Sequence, residues 1–255
     1  MKILLTNDDG PEGPGLVALA QALREFGNVT IVCPCEERSG VGHAITYLVP
    51  VHVGQARLDD GTRVRTLTGM PADCVKFGLI ELLKSPPDMV ASGINLGVNV
   101  GVDVFYSGTV AAAVEGGFNG VFSVAFSTVR TNAGRMAAAA DQAKRVLRLL
   151  LDDGPPAGGV FNVNIPELSA REPEVRFTRQ SRIFPPGSYL RMEGPRDRVH
   201  YWLDSTTGGS APELDSDVAA LEAGDISVTP LCPDLTDAAA LERLRGHISA
   251  RAGRA

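Results

Sequence analysis

The chain opens Met1-Lys-Ile-Leu-Leu-Thr-Asn-Asp-Asp-Gly10, an apolar segment that breaks abruptly into polar residues. Ile3, Leu4 and Leu5 form a short unbroken apolar run. Such a run suits a strand buried on both faces inside a parallel sheet. It stops without transition on Thr6-Asn-Asp-Asp-Gly10. In open α/β sheets ligands bind just beyond the carboxyl ends of the strands, so a site is expected there. Adjacent carboxylates repel, and with no cation nearby one pKa would be pushed up. A divalent metal removes that conflict, and oxygen-only ligands select hard ions such as Mg²⁺ or Mn²⁺. Asn, Asp and Gly also favour plain turns. Taken alone, the stretch leaves both readings open.

The rest of the chain bounds the answer. At 255 residues, 44% of them hydrophobic, it matches an ordinary globular α/β protein that needs no staples. No apolar run approaches the ~20 residues of a membrane span. No apolar signal core follows Lys2, so a cytoplasmic protein is expected. The four cysteines (Cys33, Cys35, Cys74, Cys232) fit no zinc spacing and read as small buried hydrophobes. A net charge of −6 argues against a nucleic-acid polymer as partner, since phosphate backbones need a basic face. A small phosphate compound is compatible with it if a metal brings the positive charge.

Downstream of Gly10, helical spacing of Leu16, Leu19, Leu23 and Phe26 predicts a helix, and Val29 to Cys33 a second strand. Together with the first strand these make a βαβ unit. The second strand ends in Glu37-Arg-Ser-Gly-Val-Gly-His43, where Ser39 can bring a hydroxyl to the aspartates. His43 reads either as a hydrogen-bonded loop residue or as a catalyst. Tyr47 to Thr68 reads as a hairpin-rich excursion turning at Asp59-Asp-Gly61. A helix is predicted over 71–84 and a buried strand at Met89-Val-Ala91.

That strand opens into Ser92-Gly-Ile-Asn-Leu-Gly-Val-Asn99, with glycines repeating at 93, 97 and 101. In a helix each would cost nearly ~1 kcal/mol relative to Ala, so a loop closing on a ligand is expected, with Asn95 and Asn99 offering neutral polar groups. Ser107-Gly108-Thr109 precedes an Ala-rich helix, an arrangement that forms an anion site. A strand over 122–127, a helix over 136–151 and a strand over 161–165 follow, with a surface linker at 152–159. Past Glu172 short β-like pieces sit among Pro- and Gly-rich loops, and a last helix begins near Asp237 with Thr236 as its cap.

Asn7-Asp-Asp-Gly10 with Pro14-Gly15, Glu37-Arg-Ser-Gly40, Ser92-Gly-Ile-Asn95 and Tyr106-Ser-Gly-Thr-Val110 stand in an order that closely resembles the SurE (survival protein E) family. Thr68-Gly-Met-Pro-Ala-Asp73 and Phe161-Asn-Val-Asn164 extend the likeness over nearly the whole chain. Gly13, Cys35 and Phe122 depart from residues more usual there, and none carries chemistry.

The resemblance implies a divalent-metal-dependent 5′/3′-nucleotidase acting on nucleoside monophosphates. It implies Asp8, Asp9, Ser39 and Asn95 as ligands of one Mg²⁺ or Mn²⁺ ion per subunit, with Asp8, Asp9 and Asn95 catalytic. Ser107, Gly108 and Thr109 then lie by the substrate phosphate, with His43 a further substrate contact. The expected fold is a Rossmann-like three-layer α/β/α core with a mostly parallel sheet over 1–180. A β-rich arm over 181–235, used in oligomerisation, and a C-terminal helix over 236–255 complete it. Homodimers or homotetramers with exchanged arms are implied. Among the charges flanking the arm's Tyr201-Trp202 pair are Arg196, Asp197, Arg198 and Asp204. Two rivals fare poorly. A phosphorelay receiver needs a lysine after its fifth strand, and a dinucleotide enzyme needs G-x-G-x-x-G after the first. The chain has neither.

Overall fold

The computed structural model describes residues 1–130, 135–152, 154, 156–183, 187–195, 198–204 and 212–252, the side chains of 204 and 248–252 excepted. Arg196, Asp197 and the linker residues Asp153 and Pro155 lie outside the described residues. Strand β1 (Lys2–Thr6) is the axis of the molecule. It pairs in parallel with β2 (Asn28–Pro34) on one side and with β5 (Met89–Leu96) on the other. The strand order therefore reverses at β1, and a crevice opens between β1 and β5 at their carboxyl ends.

Among the described residues the main sheet has nine strands, in the order β3-β4-β2-β1-β5-β6-β7-β11-β8. The hairpin β3 (Val53–Arg57) and β4 (Arg63–Leu67) joins β2 through β4 and forms one edge. Its turn carries Gly61 at φ +81° and the Asp60 carboxylate on the Thr62 amide. The predicted excursion is thus part of the main sheet, while 44–52 is irregular. Beyond β5 lie β6 (Phe122–Thr128) and β7 (Val160–Ile165), both parallel. β11 (Ile226–Leu231) then runs antiparallel to β7 and parallel to β8 (Val175–Phe177).

The side-chain period of β1 divides the core. Ile3 and Leu5 point into one cluster with Leu16, Leu19 and Leu23 of α1 (Pro14–Leu23) and Val146 and Leu147 of α4 (Met136–Asp152). Leu4 points into the opposite cluster with Val75 of α2 (Pro71–Phe77) and Ala112 of α3 (Gly108–Phe118). Helices cover both faces of a mostly parallel sheet, which is the three-layer α/β/α core expected. Burying both faces explains the unbroken apolar reading of β1.

The helix predicted over 71–84 is α-helical only to Phe77 and closes with a π turn over Gly78–Leu82. α6 (Ala238–Ala252) is capped by Asp237, whose carboxylate accepts the Ala240 amide at 2.8 Å. Thr236, the expected cap, instead donates its amide to Asp234. Of the 181–235 stretch, the hairpin β9 (Ser188–Gly194) and β10 (Arg198–Asp204) forms a separate two-stranded sheet. Helix α5 (Asp217–Glu222) and β11 belong to the main body, with Ile226 and Val228 fully buried. Cys33 and Cys74 are buried as expected, while Cys35 and Cys232 are exposed; all four are free thiols. No described helix is long and apolar enough to cross a membrane.

Candidate active site

Beyond the carboxyl ends of β1 and β5 lies an open cleft of about 910 Å³. Asp8, Asp9, Ser39, Asn95 and Ser107 all line it, so the tertiary fold brings together residues from four separate segments. Asp8 is buried and Asp9 half-buried. Burial drives the Asp8 carboxyl above its ordinary value, against a lowering hydrogen bond from Thr109. Asp9 is pushed up to about 6, first by burial and then by the charges of Asp8 and Glu37. Asp9 Oδ2 is buried without a hydrogen-bond partner.

Two crowded carboxylates that resist ionisation, one with an orphaned oxygen, have the charge and the free lone pairs that a divalent ion satisfies. Among the described residues, no three His, Cys, Asp or Glu side chains form a metal-holding group. The donors gathered here are instead two carboxylates, a hydroxyl and an amide, all oxygen, which fit a hard ion. Asn95 donates its amide NH₂ to the Gly97 carbonyl at 2.8 Å, leaving its side-chain oxygen available. Ser39 donates to Glu37 Oε1 at 2.8 Å. That bond leaves the lone pairs of Ser39 Oγ open.

Local backbone requirements explain the glycines. Gly15 packs so tightly on β5 that a Cβ there would stand 1.8 Å from the Ile94 carbonyl oxygen. A Cβ on Gly108 would stand 3.1 Å from Asp8 Cβ. The start of α3 is thereby seated directly against the first aspartate. Ser107 caps α3 by accepting the Val110 amide at 3.1 Å. The Thr109 hydroxyl, fully buried, donates to Asp8 Oδ1. Thr109 and Gly108 therefore stand behind the aspartate; neither lines the cleft.

His43 lies elsewhere. Its Nε2 is 2.9 Å from Glu115 Oε2 and its ring stacks on Phe118 at 5.4 Å. It lines a second, more apolar cavity beside α3 and not the aspartate cleft. Lys76 holds the other Glu115 oxygen at 2.8 Å. Burial alone would raise Glu115, but the bonds and charges of His43 and Lys76 outweigh it and hold the carboxyl below its usual range.

Across 3–184 the chain matches the family model described as survival protein SurE. The chain belongs to the SurE family. A protein of Syntrophobacter fumaroxidans named 5'-nucleotidase SurE is 42% identical over 237 residues, covering 92% of this chain and 95% of that one. One of the same name from Geobacter sulfurreducens is also 42% identical, covering 96% and 93%. The crystal structure of the SurE protein from Aquifex aeolicus superposes with a TM-score of 0.80 at 34% identity, covering 96% of this chain and 98% of that one.

Several residues of this SurE cleft escape a reading of the sequence by motif. Asp103 and Arg130 line it, and neither stands in a chemical spacing that would single it out, while Tyr106 lines it from the head of the Tyr106-Ser-Gly-Thr-Val110 motif. Asn162 and Asn164 also matter, though neither lines the cleft. They alternate on one face of β7 and hold the Asn99 backbone: Asn162 Nδ2 and Asn164 Nδ2 donate to the Asn99 carbonyl at 2.7 and 3.1 Å. Asn164 Oδ1 accepts the Asn99 amide at 2.7 Å. Two asparagines inside an otherwise apolar strand were the available signal, since buried polar side chains need partners.

Proposed function

We propose that this chain is a divalent-metal-dependent phosphomonoesterase that hydrolyses nucleoside 5′- and 3′-monophosphates to nucleoside and phosphate. The single observation that carries the reading is the aspartate pair, raised in pKa and partly unpartnered, in the cleft of a chain matched over more than nine-tenths of its length by relatives named 5'-nucleotidase. Asp8, Asp9, Ser39 and Asn95 would hold one ion, Mg²⁺ or Mn²⁺. The chemistry such an ion supplies when bound is acidification of a water and polarisation of the phosphoryl oxygens.

The chain's own groups do the remainder. Thr109 fixes Asp8 through its hydroxyl. Of the first amides of α3, Val110 is taken by Ser107 Oγ, Ala111 by the Ser107 carbonyl, and Thr109 bears on Asp8. Of Ser107, Gly108 and Thr109, it is Ser107 that lines the cleft, so a phosphate oxygen would meet α3 at Ser107, at the positive end of the helix. Because His43 is tied to Glu115 outside the cleft, proton transfer from the attacking water falls to the aspartates, and Asp9 with its free Oδ2 is the acceptor.

The test is turnover of a panel of 5′- and 3′-nucleotides. EDTA should abolish hydrolysis and Mn²⁺ or Mg²⁺ restore it, and Asp8→Asn or Asp9→Asn should lose both activity and metal affinity while melting at a similar temperature. Full activity of the metal-stripped protein would sink the mechanism.

A further inference from the structure

Four carboxylates line the cleft, those of Asp8, Asp9, Glu37 and Asp103. Against them, among the described residues, stands one cation, Arg130. It lies two residues beyond β6, the strand next to β5, where Ser127 is in register with Asn95. The end of β6 is two strands from β1, roughly 10 Å away, a gap that an arginine and a phosphate can bridge together. Arg130 is exposed, and among the described residues it has neither an ion pair nor a hydrogen bond. By contrast Arg171, Arg176 and Arg179 are all committed to carboxylates of the fold. An unpaired guanidinium beside a crowd of acids is available for something else.

An anionic substrate entering this cleft meets repulsion that a single divalent ion only partly cancels. A nucleoside monophosphate carries its charge on the phosphate alone, and the planar guanidinium fork matches phosphate oxygens two at a time. The nucleoside has other surface to use, since Tyr106 lines the same cleft half exposed. We propose that Arg130 is a specificity-determining residue that grips the substrate phosphate from the β6 side. The assignment rests on the phosphomonoesterase reading above. It makes the cleft selective for the phosphomonoester dianion, whatever alcohol it carries.

The experiment compares the Mn²⁺-loaded wild type with Arg130→Ala and Arg130→Lys. Two substrates are used, adenosine 5′-monophosphate and p-nitrophenyl phosphate, which has neither ribose nor base, and binding of inorganic phosphate is measured by calorimetry. Arg130→Ala should raise KM roughly ten- to a hundredfold for both substrates and weaken inorganic phosphate by a similar factor. Mn²⁺ affinity and melting temperature should not move, because the side chain is exposed and is not among the metal donors. Arg130→Lys should recover part of the loss, keeping the charge but not the fork. A rise in KM confined to the nucleotide would mean that Arg130 reads the nucleoside, and unchanged phosphate binding would mean that it grips nothing; either result overturns the proposal. If the wild type turns over neither substrate yet Arg130→Ala still loses phosphate binding, the phosphate grip stands and the enzyme reading falls.

Discussion

The Thr109 hydroxyl reaches Asp8 Oδ1 from the first turn of α3, with both residues buried. A hydrogen bond to a charged, buried oxygen is among the stronger ones, and partners that orient a metal ligand typically set metal affinity by tenfold or more. Thr109→Val keeps the shape and removes the donor. Calorimetric titration with Mn²⁺ should show it binding roughly ten- to a hundredfold more weakly, with Thr109→Ser close to wild type. Equal affinity in all three proteins would reduce the contact to packing. The sequence placed Thr109 beside the phosphate by its position in Ser-Gly-Thr, and Gly108 likewise. Both lie behind Asp8 because the helix start faces the aspartate, a direction that no spacing along one chain encodes.

At the scale of elements, two close fits hold the site and its flank. α1 is pressed onto β5 at Gly15, where a Cβ would fall 1.8 Å from a carbonyl oxygen. That atom belongs to the backbone and cannot rotate away. Gly15→Ala should therefore cost at least about 3 kcal/mol and lower the midpoint of denaturant unfolding. A melt indistinguishable from wild type would show that α1 slides freely. On the far edge, buried Asp225 beside β11 accepts from Arg171 at 2.7 Å, pairs with Arg176 at 2.6 Å and takes the Glu174 amide at 3.1 Å. Burial by itself would raise its carboxyl; the hydrogen bonds and the two guanidinium charges outweigh that and hold it below the ordinary range. A depressed carboxyl stabilises the fold above its unfolded pKa of about 4, and the contribution is lost as pH falls through the folded value. The arginines are about half exposed, so solvent screening limits the effect. Asp225→Asn should lose roughly 1–3 kcal/mol at pH 7, and the gap from wild type should close in acid. A gap that stays constant down to pH 3 would contradict the assignment.

For the whole molecule, the hairpin β9–β10 stands apart from the nine-stranded sheet. Leu190 pairs with Trp202 on one of its faces and Tyr189 with Leu203 on the other. All four side chains are more than half exposed. A two-stranded hairpin is at best marginal in water, and apolar residues on both faces ask for a covering surface. A second copy of this chain, in a homodimer or homotetramer with exchanged hairpins, would supply that cover, since swapping an identical element costs little. Deleting residues 182–203 should give a monomer by light scattering, and Trp202 fluorescence in the intact protein should change on dilution. An intact protein that scatters as a monomer at micromolar concentration rules the exchange out.

What the sequence determined by itself was local and periodic. The apolar run Ile3–Leu5 before Asn7-Asp-Asp-Gly10 was enough for a buried parallel strand with a site at its end, because burying both faces removes alternation and strand ends collect polar groups. Helical spacing likewise marked α1, the Ala- and Leu-rich run over 136–151 marked α4, and the ordered motifs marked the family. Tertiary structure decided what depends on contacts between distant segments. It sent His43 to Glu115, 72 residues on, and out of the cleft. It drew β11 into the main sheet beside β7, where Ile226 and Val228 are buried, although both lie in a stretch with few apolar residues. It set Arg130 across from the aspartates and orphaned Asp9 Oδ2. Burial, pairing and charge at those atoms arise from neighbours that only the folded sheet assembles, so the pattern of one chain records the strand but not what stands opposite its end.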